Sequence, residues 1–100
     1  MAFYRLEKLV NLSEGYRKEF RVARHEILLI HQSGQTFLLE NFCPHRGVSF
    51  SKGIISSGTI TCPGHGFQFE LSSGQCIKGQ CSSLITYPAE YDQEYLGIEL

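Results

Sequence analysis

Two short stretches of this chain, CPHRG at residues 43–47 and CPGHG at residues 62–66, each place one cysteine and one histidine on a loop rich in proline and glycine. Sixteen residues separate His45 from Cys62, so a fold that uses all four side chains together must bring two distant loops to one place. No other feature constrains the architecture as much. Pro44 and Pro63 follow the two cysteines, fixing φ and removing one backbone donor each, while Gly47, Gly64 and Gly66 allow backbone N–H groups to approach a bound group closely.

The donors Cys43, His45, Cys62 and His65 satisfy a tetrahedral zinc ion in number and type. Their order argues otherwise. Zinc fingers usually pair two cysteines on one loop and two histidines on another, whereas here each loop supplies one of each. Mixed pairs suit a binuclear centre in which each loop can reach both metals, and the donor set matches a known kind of [2Fe–2S] centre with two thiolates on one iron and two imidazoles on the other. In such a centre two ferric ions and two sulfides carry about +2, which two thiolates cancel, while four thiolates would leave about −2, so an electron enters it more easily and should sit on the iron that the histidines hold.

The remainder of the sequence reads as β-structure. Tyr16, Lys18, Phe20 and Val22 share one strand face, with Arg17, Glu19 and Arg21 on the other. EILLI and TFLLE flank HQSGQ, a connection suited to a hairpin between central strands. GTITC follows the first Cys-His loop. FQFEL follows the second, with Phe67, Phe69 and Leu71 inward and Gln68 and Glu70 outward, then the turn SSGQ and the strand CIK. LITY and YLGIEL, separated by PAEYDQE, are expected to pair as a closing hairpin. The fold class this predicts is all-β, a small antiparallel barrel or sandwich carrying an inserted two-loop lobe.

With 100 residues, 42% of them hydrophobic and 19% charged, the chain is expected to be one globular domain over 1–100. A formal net charge of −1 lacks the basic footprint of a nucleic-acid binder. The longest apolar run, Ile27 to Ile30, is far short of the roughly 20 residues of a membrane-spanning helix. With no signal-like segment in MAFYRLEKLV, a cytoplasmic, monomeric protein is the expectation. Four cysteines in a reducing compartment favour metal binding over disulfides. Charge is uneven: residues 1–46 hold seven basic and five acidic residues, net +2, and residues 47–100 hold two and five, net −3.

The pattern Cys-x-His, sixteen residues, Cys-x-x-His, with Gly47 after the first pair and Gly66 after the second histidine, resembles the Rieske iron–sulfur family over essentially the whole chain. The resemblance implies one [2Fe–2S] cluster, with Cys43 and Cys62 on the inner iron and His45 and His65 on an outer, partly solvent-exposed one. Potentials of such centres span roughly −150 to +300 mV. High-potential members of the family carry an extra cysteine on each loop and hydroxyl donors after the second histidine. Here Val48 and Gly64 stand at the cysteine positions, and Phe67 and Phe69 where a serine and a tyrosine would be. Fewer hydrogen bonds to the reduced centre leave its potential lower, which implies a low-potential, ferredoxin-type protein. The proline-rich segment that often covers the cluster has no clear counterpart in IKGQCSSL.

A Rieske oxygenase also needs a mononuclear iron site, and only His25 and His31 remain for it, close together on expected strands. The implied function is therefore a soluble one-electron carrier between an NAD(P)H-dependent flavoprotein reductase and a terminal oxygenase, with no substrate site of its own. The small subunit of an assimilatory nitrite reductase and a zinc-stabilised binding module are the alternatives. Cys76 and Cys81 are expected to be buried, inert thiols; Arg46 is a cation beside His45; Glu90, Asp92 and Glu94 read as a solvated turn.

Overall fold

The computed structural model describes residues 2–43, 49–64, 66–79 and 82–100. Among them are ten strands and one turn of 3-10 helix at Leu9–Asn11. The strands are β1 (Phe3–Lys8), β2 (Tyr16–Val22), β3 (His25–Gln32), β4 (Gln35–Glu40), β5 (Ile54–Ser56), β6 (Thr59–Thr61), β7 (Gln68–Glu70), β8 (Cys76–Lys78), β9 (Glu90–Asp92) and β10 (Tyr95–Glu99). They form three antiparallel sheets with orders β1-β10-β9, β2-β3-β4 and β5-β6-β7-β8. The all-β reading and the inserted lobe, β5 to β8, both hold.

The middle sheet is covered on both faces, which explains why HEILLIHQ runs apolar without alternating. Leu28 and Ile30 enter one buried cluster with Leu39, Phe50, Ile60, Phe69, Leu71 and Leu84. Ile27 and Leu29 enter a second with Val22, Leu38, Leu96 and Ile98. Each such side chain, taken fully out of water, contributes about 1.5–3 kcal/mol. β3 thus joins the lobe on one side to the sheet of the two chain ends on the other.

Register divides β2 in the same way, because cross-strand partners share a face. Tyr16, Phe20 and Val22 pack toward the cluster of Ile27 and Leu29, as the alternation predicts. Arg17 and Glu19 pair with Ile30 and Leu28, so their face is the one that receives the lobe.

The turn in HQSGQ forms as expected, with Ser33 at φ 54° and Gly34 at φ 74°, the two-residue mirror-image turn that suits strand twist. Ser57 and Gly58, at φ 50° and 78°, repeat it between β5 and β6, a hairpin the sequence reading did not include. β1 was likewise absent from that reading. It pairs with β10 across a bulge between Arg5 and Glu7, and a Cβ at Gly97 would lie 2.1 Å from the Tyr4 carbonyl oxygen, so only glycine lets the strands cross this closely.

The closing hairpin differs from expectation. β10 pairs with β9, so Glu90 and Asp92 lie on a strand and only Glu94 remains in the turn, where its carbonyl accepts the Leu9 amide at 2.8 Å. LITY does not pair with β10. It runs along the edge of β4, where Thr86 bridges Leu39, the Glu40 amide donates to Ile85 O at 2.8 Å and the Tyr87 amide donates to Leu38 O at 2.9 Å. The apolar Leu84 that suggested a strand is buried in the lobe cluster instead.

Candidate functional site

Two loops leave the lobe sheet and the middle sheet toward the same cluster. The first departs from β4 at Asn41, whose amide donates to Glu26 O at 2.9 Å, and re-enters described structure at Ser49 and Phe50. The second connects β6 to β7 and is closed by two backbone bonds: the Cys62 amide donates to Phe67 O at 2.7 Å, and the Gly66 amide to Cys62 O at 3.1 Å. Gly66 holds φ 72°, which this tight return requires.

Cys43 and Cys62, nineteen positions apart in the chain, are 0% and 1% exposed and belong to one cluster with Leu28, Ile30, Leu39, Phe50, Ile60 and Phe69. His45 and His65, with Pro44, Arg46, Gly47, Val48 and Cys81, lie outside the described residues. Among the described residues no group of three or more His, Cys, Asp and Glu side chains converges, as expected when two of four donors fall outside them.

Beneath the loops, Phe69 meets Phe50 edge-on. Phe67 lies against Gly79, where a Cβ would come within 2.3 Å of its ring; Gly79, at φ 112°, brings the segment after β8 against the second loop. Cys76 is in β8 as predicted, but it is half-buried, not buried, with its Sγ 3.6 Å from the carbonyls of Lys78 and Gly79. His25 and His31 are engaged locally: His25 Nδ1 stands 3.1 Å from the Tyr87 hydroxyl and His31 Nδ1 3.0 Å from Thr36 Oγ1.

Sequence reasoning missed the polar residues that secure the first loop. Arg17 donates from Nη1 to Ser51 O at 2.9 Å and Gly53 O at 2.7 Å. Burial of its guanidinium depresses its pKa from the usual arginine value. Asn41, 3% exposed, donates to Glu19 and accepts the Phe50 amide. Only the strand register marks two of them, by setting Arg17 and Glu19 opposite Ile30 and Leu28, which are too apolar to border water.

A sequence profile of the Rieske [2Fe-2S] domain matches residues 2–88. The chain belongs to the Rieske family. It is 30% identical over 83 residues to the ferredoxin component of the alkene monooxygenase system of Xanthobacter autotrophicus (strain ATCC BAA-1158 / Py2), covering 82% of this chain and 68% of that one. It is 34% identical over 64 residues to mouse apoptosis-inducing factor 3, an alignment that takes in 64% of this chain and spans only 11% of that protein. The fold superposes on the Sphingomonas yanoikuyae B1 ferredoxin with a TM-score of 0.87 at 21% identity, covering 99% of each chain.

The Rieske family implies a [2Fe–2S] cluster, and the donor chemistry fits one. Two cysteines from separate loops are carried out of water into a single apolar cluster, where a thiolate is costly unless its charge is neutralised by a metal. Ligation to iron would supply that neutralisation.

Proposed function

We propose that this chain is a Rieske-type ferredoxin, a one-electron carrier in which Cys43, His45, Cys62 and His65 hold a [2Fe–2S] cluster. The observation that carries the reading is the burial of Cys43 and Cys62 in one cluster from two loops, each followed at Rieske spacing by a histidine. When bound, such a cluster accepts and releases single electrons at constant composition.

The chain's own residues then have distinct tasks. The apolar cluster around the cysteines excludes water from their side of the site. The backbone bonds between Cys62 and Phe67 and between Gly66 and Cys62 fix the second loop, so that little rearrangement accompanies a change of charge. Phe67 and Phe69 offer no hydroxyl where high-potential members have serine and tyrosine, which favours a low potential.

The carrier reading extends to partners: a flavoprotein reductase oxidising NAD(P)H supplies the electron, and a terminal oxygenase receives it. The resemblance to a monooxygenase-system ferredoxin supports that placement. Contacts with both are small and transient, as redox encounters are. A single monomeric domain over 1–100, working in the reducing cytoplasm, completes the proposal. The test is reconstitution: purified protein mixed with NADH and a ferredoxin reductase of an oxygenase system should be bleached, then reoxidised by the matching oxygenase with substrate and oxygen. Failure of every such reductase to reduce a cluster-loaded chain would contradict the carrier role.

A further inference from the structure

The ends of the first donor loop are joined by one side chain. Asn41 Oδ1 accepts the amide of Phe50 at 3.1 Å, bridging the strand exit to the point where the chain returns. Its Nδ2 donates to Glu19 Oε2 on β2. Ser49 Oγ also donates to Glu19 Oε2, at 3.0 Å, and accepts the Ser51 amide at 3.1 Å. Two residues earlier on the same face of β2, Arg17 grips Ser51 O and Gly53 O. Cys43 and His45 lie between the two ends of this clasp.

We propose that Asn41, Glu19 and Arg17 are positioning residues that lock the first Cys-His loop onto β2 and so hold Cys43 and His45 ready for the cluster. The inference rests on the ligand set proposed above. Asn41 is suited to the task because one amide side chain both donates and accepts, satisfying a carboxylate and a buried backbone N–H at once. The Phe50 amide is buried with its aromatic ring, so removing its acceptor leaves a donor without water or a partner. Aspartate has nearly the same shape, yet it would set a second carboxylate against Glu19 and remove the donor that satisfies it. Arg17 acts through backbone carbonyls, and its forked donors span two of them where a lysine offers one compact charge.

The experiment compares Asn41→Ala, Asn41→Asp, Glu19→Ala, Glu19→Gln, Arg17→Met and a control, Glu7→Gln, whose hydrogen bonds to Lys8, Asn11 and Tyr16 lie on the face of the middle sheet opposite the lobe. Readouts are iron and acid-labile sulfide per chain, the rate of bleaching under an iron chelator, the midpoint potential, and hydrogen exchange at the Phe50 amide. Asn41→Ala and Asn41→Asp should both lose the cluster about tenfold faster than the parent, and Asn41→Ala, which removes the Phe50 acceptor, should raise Phe50 exchange by about the same factor. Glu19→Ala and Arg17→Met should fall in the same direction, Glu19→Gln should recover most of the parent behaviour because its amide oxygen still accepts, and Glu7→Gln should not move the bleaching rate or potential. Should Asn41→Ala fail to fold, Glu19→Ala and Arg17→Met decide. Parent-like bleaching, potential and exchange in the folded variants would overturn the inference. Parent protein without iron and sulfide would instead sink the ligand reading.

Discussion

Phe69 stands edge-on to Phe50, the two rings 5.5 Å apart between centroids and inclined at 86°, in the cluster that also buries Cys43 and Cys62. One ring comes from β7, just after the second donor loop, and the other from the return of the first. Their contact therefore ties the two loops to each other. Replacing Phe69 by alanine removes a fully buried ring and should cost about 3–5 kcal/mol, read from the urea midpoint. A loss below about 1 kcal/mol would mean that the site collapses freely and that the rings do not couple the loops.

A milder change at the same position probes the potential. Phe69→Tyr adds a hydroxyl where high-potential relatives carry one, and a donor toward a cluster sulfur stabilises the reduced, more negative state. The midpoint potential should rise, as followed by spectroelectrochemistry. An unchanged potential would mean that the added hydroxyl does not reach a cluster sulfur, and a lowered one would contradict the hydrogen-bond argument.

Charge counting predicts the opposite shift at the second histidine. With His65 as the ligand proposed above, His65→Cys would replace a neutral imidazole by a thiolate and add one negative charge to the centre, so the potential of any surviving cluster should fall. A rise, or no change, would contradict the assignment of His65 as a ligand.

Glu7 and Tyr16 lock β1 against β2 on the side of the middle sheet opposite the lobe, the tyrosine hydroxyl donating to Glu7 Oε2 at 2.6 Å. This bond, with donors from Asn11 and the Lys8 amide, holds the Glu7 pKa down from 4.5 to about 2. A carboxylate whose folded pKa is depressed stabilises the fold above its unfolded value, and that stability drains away as pH falls from about 4.5 toward 2. Burial, aided by Glu7, raises the Tyr16 pKa well above its ordinary 10, so the tyrosine's contribution is lost as pH climbs past 10. Tyr16→Phe should flatten both limbs of the profile of urea midpoint against pH. Because Glu7 lies near solvent, the acid-side change should be modest, and an unaltered profile would argue against the bond.

Gly97 tests whether the two clusters on either side of β3 are separable. An alanine there would drive its Cβ to 2.1 Å from the Tyr4 carbonyl, forcing β1 away from β10 and lowering stability by about 1–3 kcal/mol. Thermal or urea unfolding should register the loss, while the potential of the cluster-loaded protein stays at the parent value. A shifted potential would mean that strain crosses the middle sheet.

What the sequence disclosed followed how directly each residue's surroundings were encoded beside it. The alternation of FQFEL and the Ser-Gly turn of HQSGQ are local, and both appear where expected. The same turn signal at Ser57-Gly58 went unused because IIS and TIT are only three residues each, too short for alternation to speak. LITY misled because an apolar segment can be buried against a sheet edge without being a paired strand of its own sheet. At the site, type and spacing single out Cys43 and Cys62, and the structure buries both in one apolar cluster. Asn41, Glu19 and Arg17 were not legible. Their hydrogen bonds exist only once the segment at residues 49–53 lies against β2 and Asn41, a long-range contact with no local periodicity to announce it. Cys76 was misjudged for the opposite reason, since a general tendency of cysteines to be buried gave way to its position on the edge strand β8.

The most direct measurement is iron and acid-labile sulfide content of anaerobically isolated protein, joined to pulsed electron paramagnetic resonance of the dithionite-reduced form after labelling of histidine nitrogen. About two irons and two sulfides per chain, with two imidazole nitrogens coupled to the unpaired electron and one lost in His45→Ala or His65→Ala, is the outcome predicted here. Colourless protein carrying zinc, or a cluster coupled to no imidazole nitrogen, would contradict it.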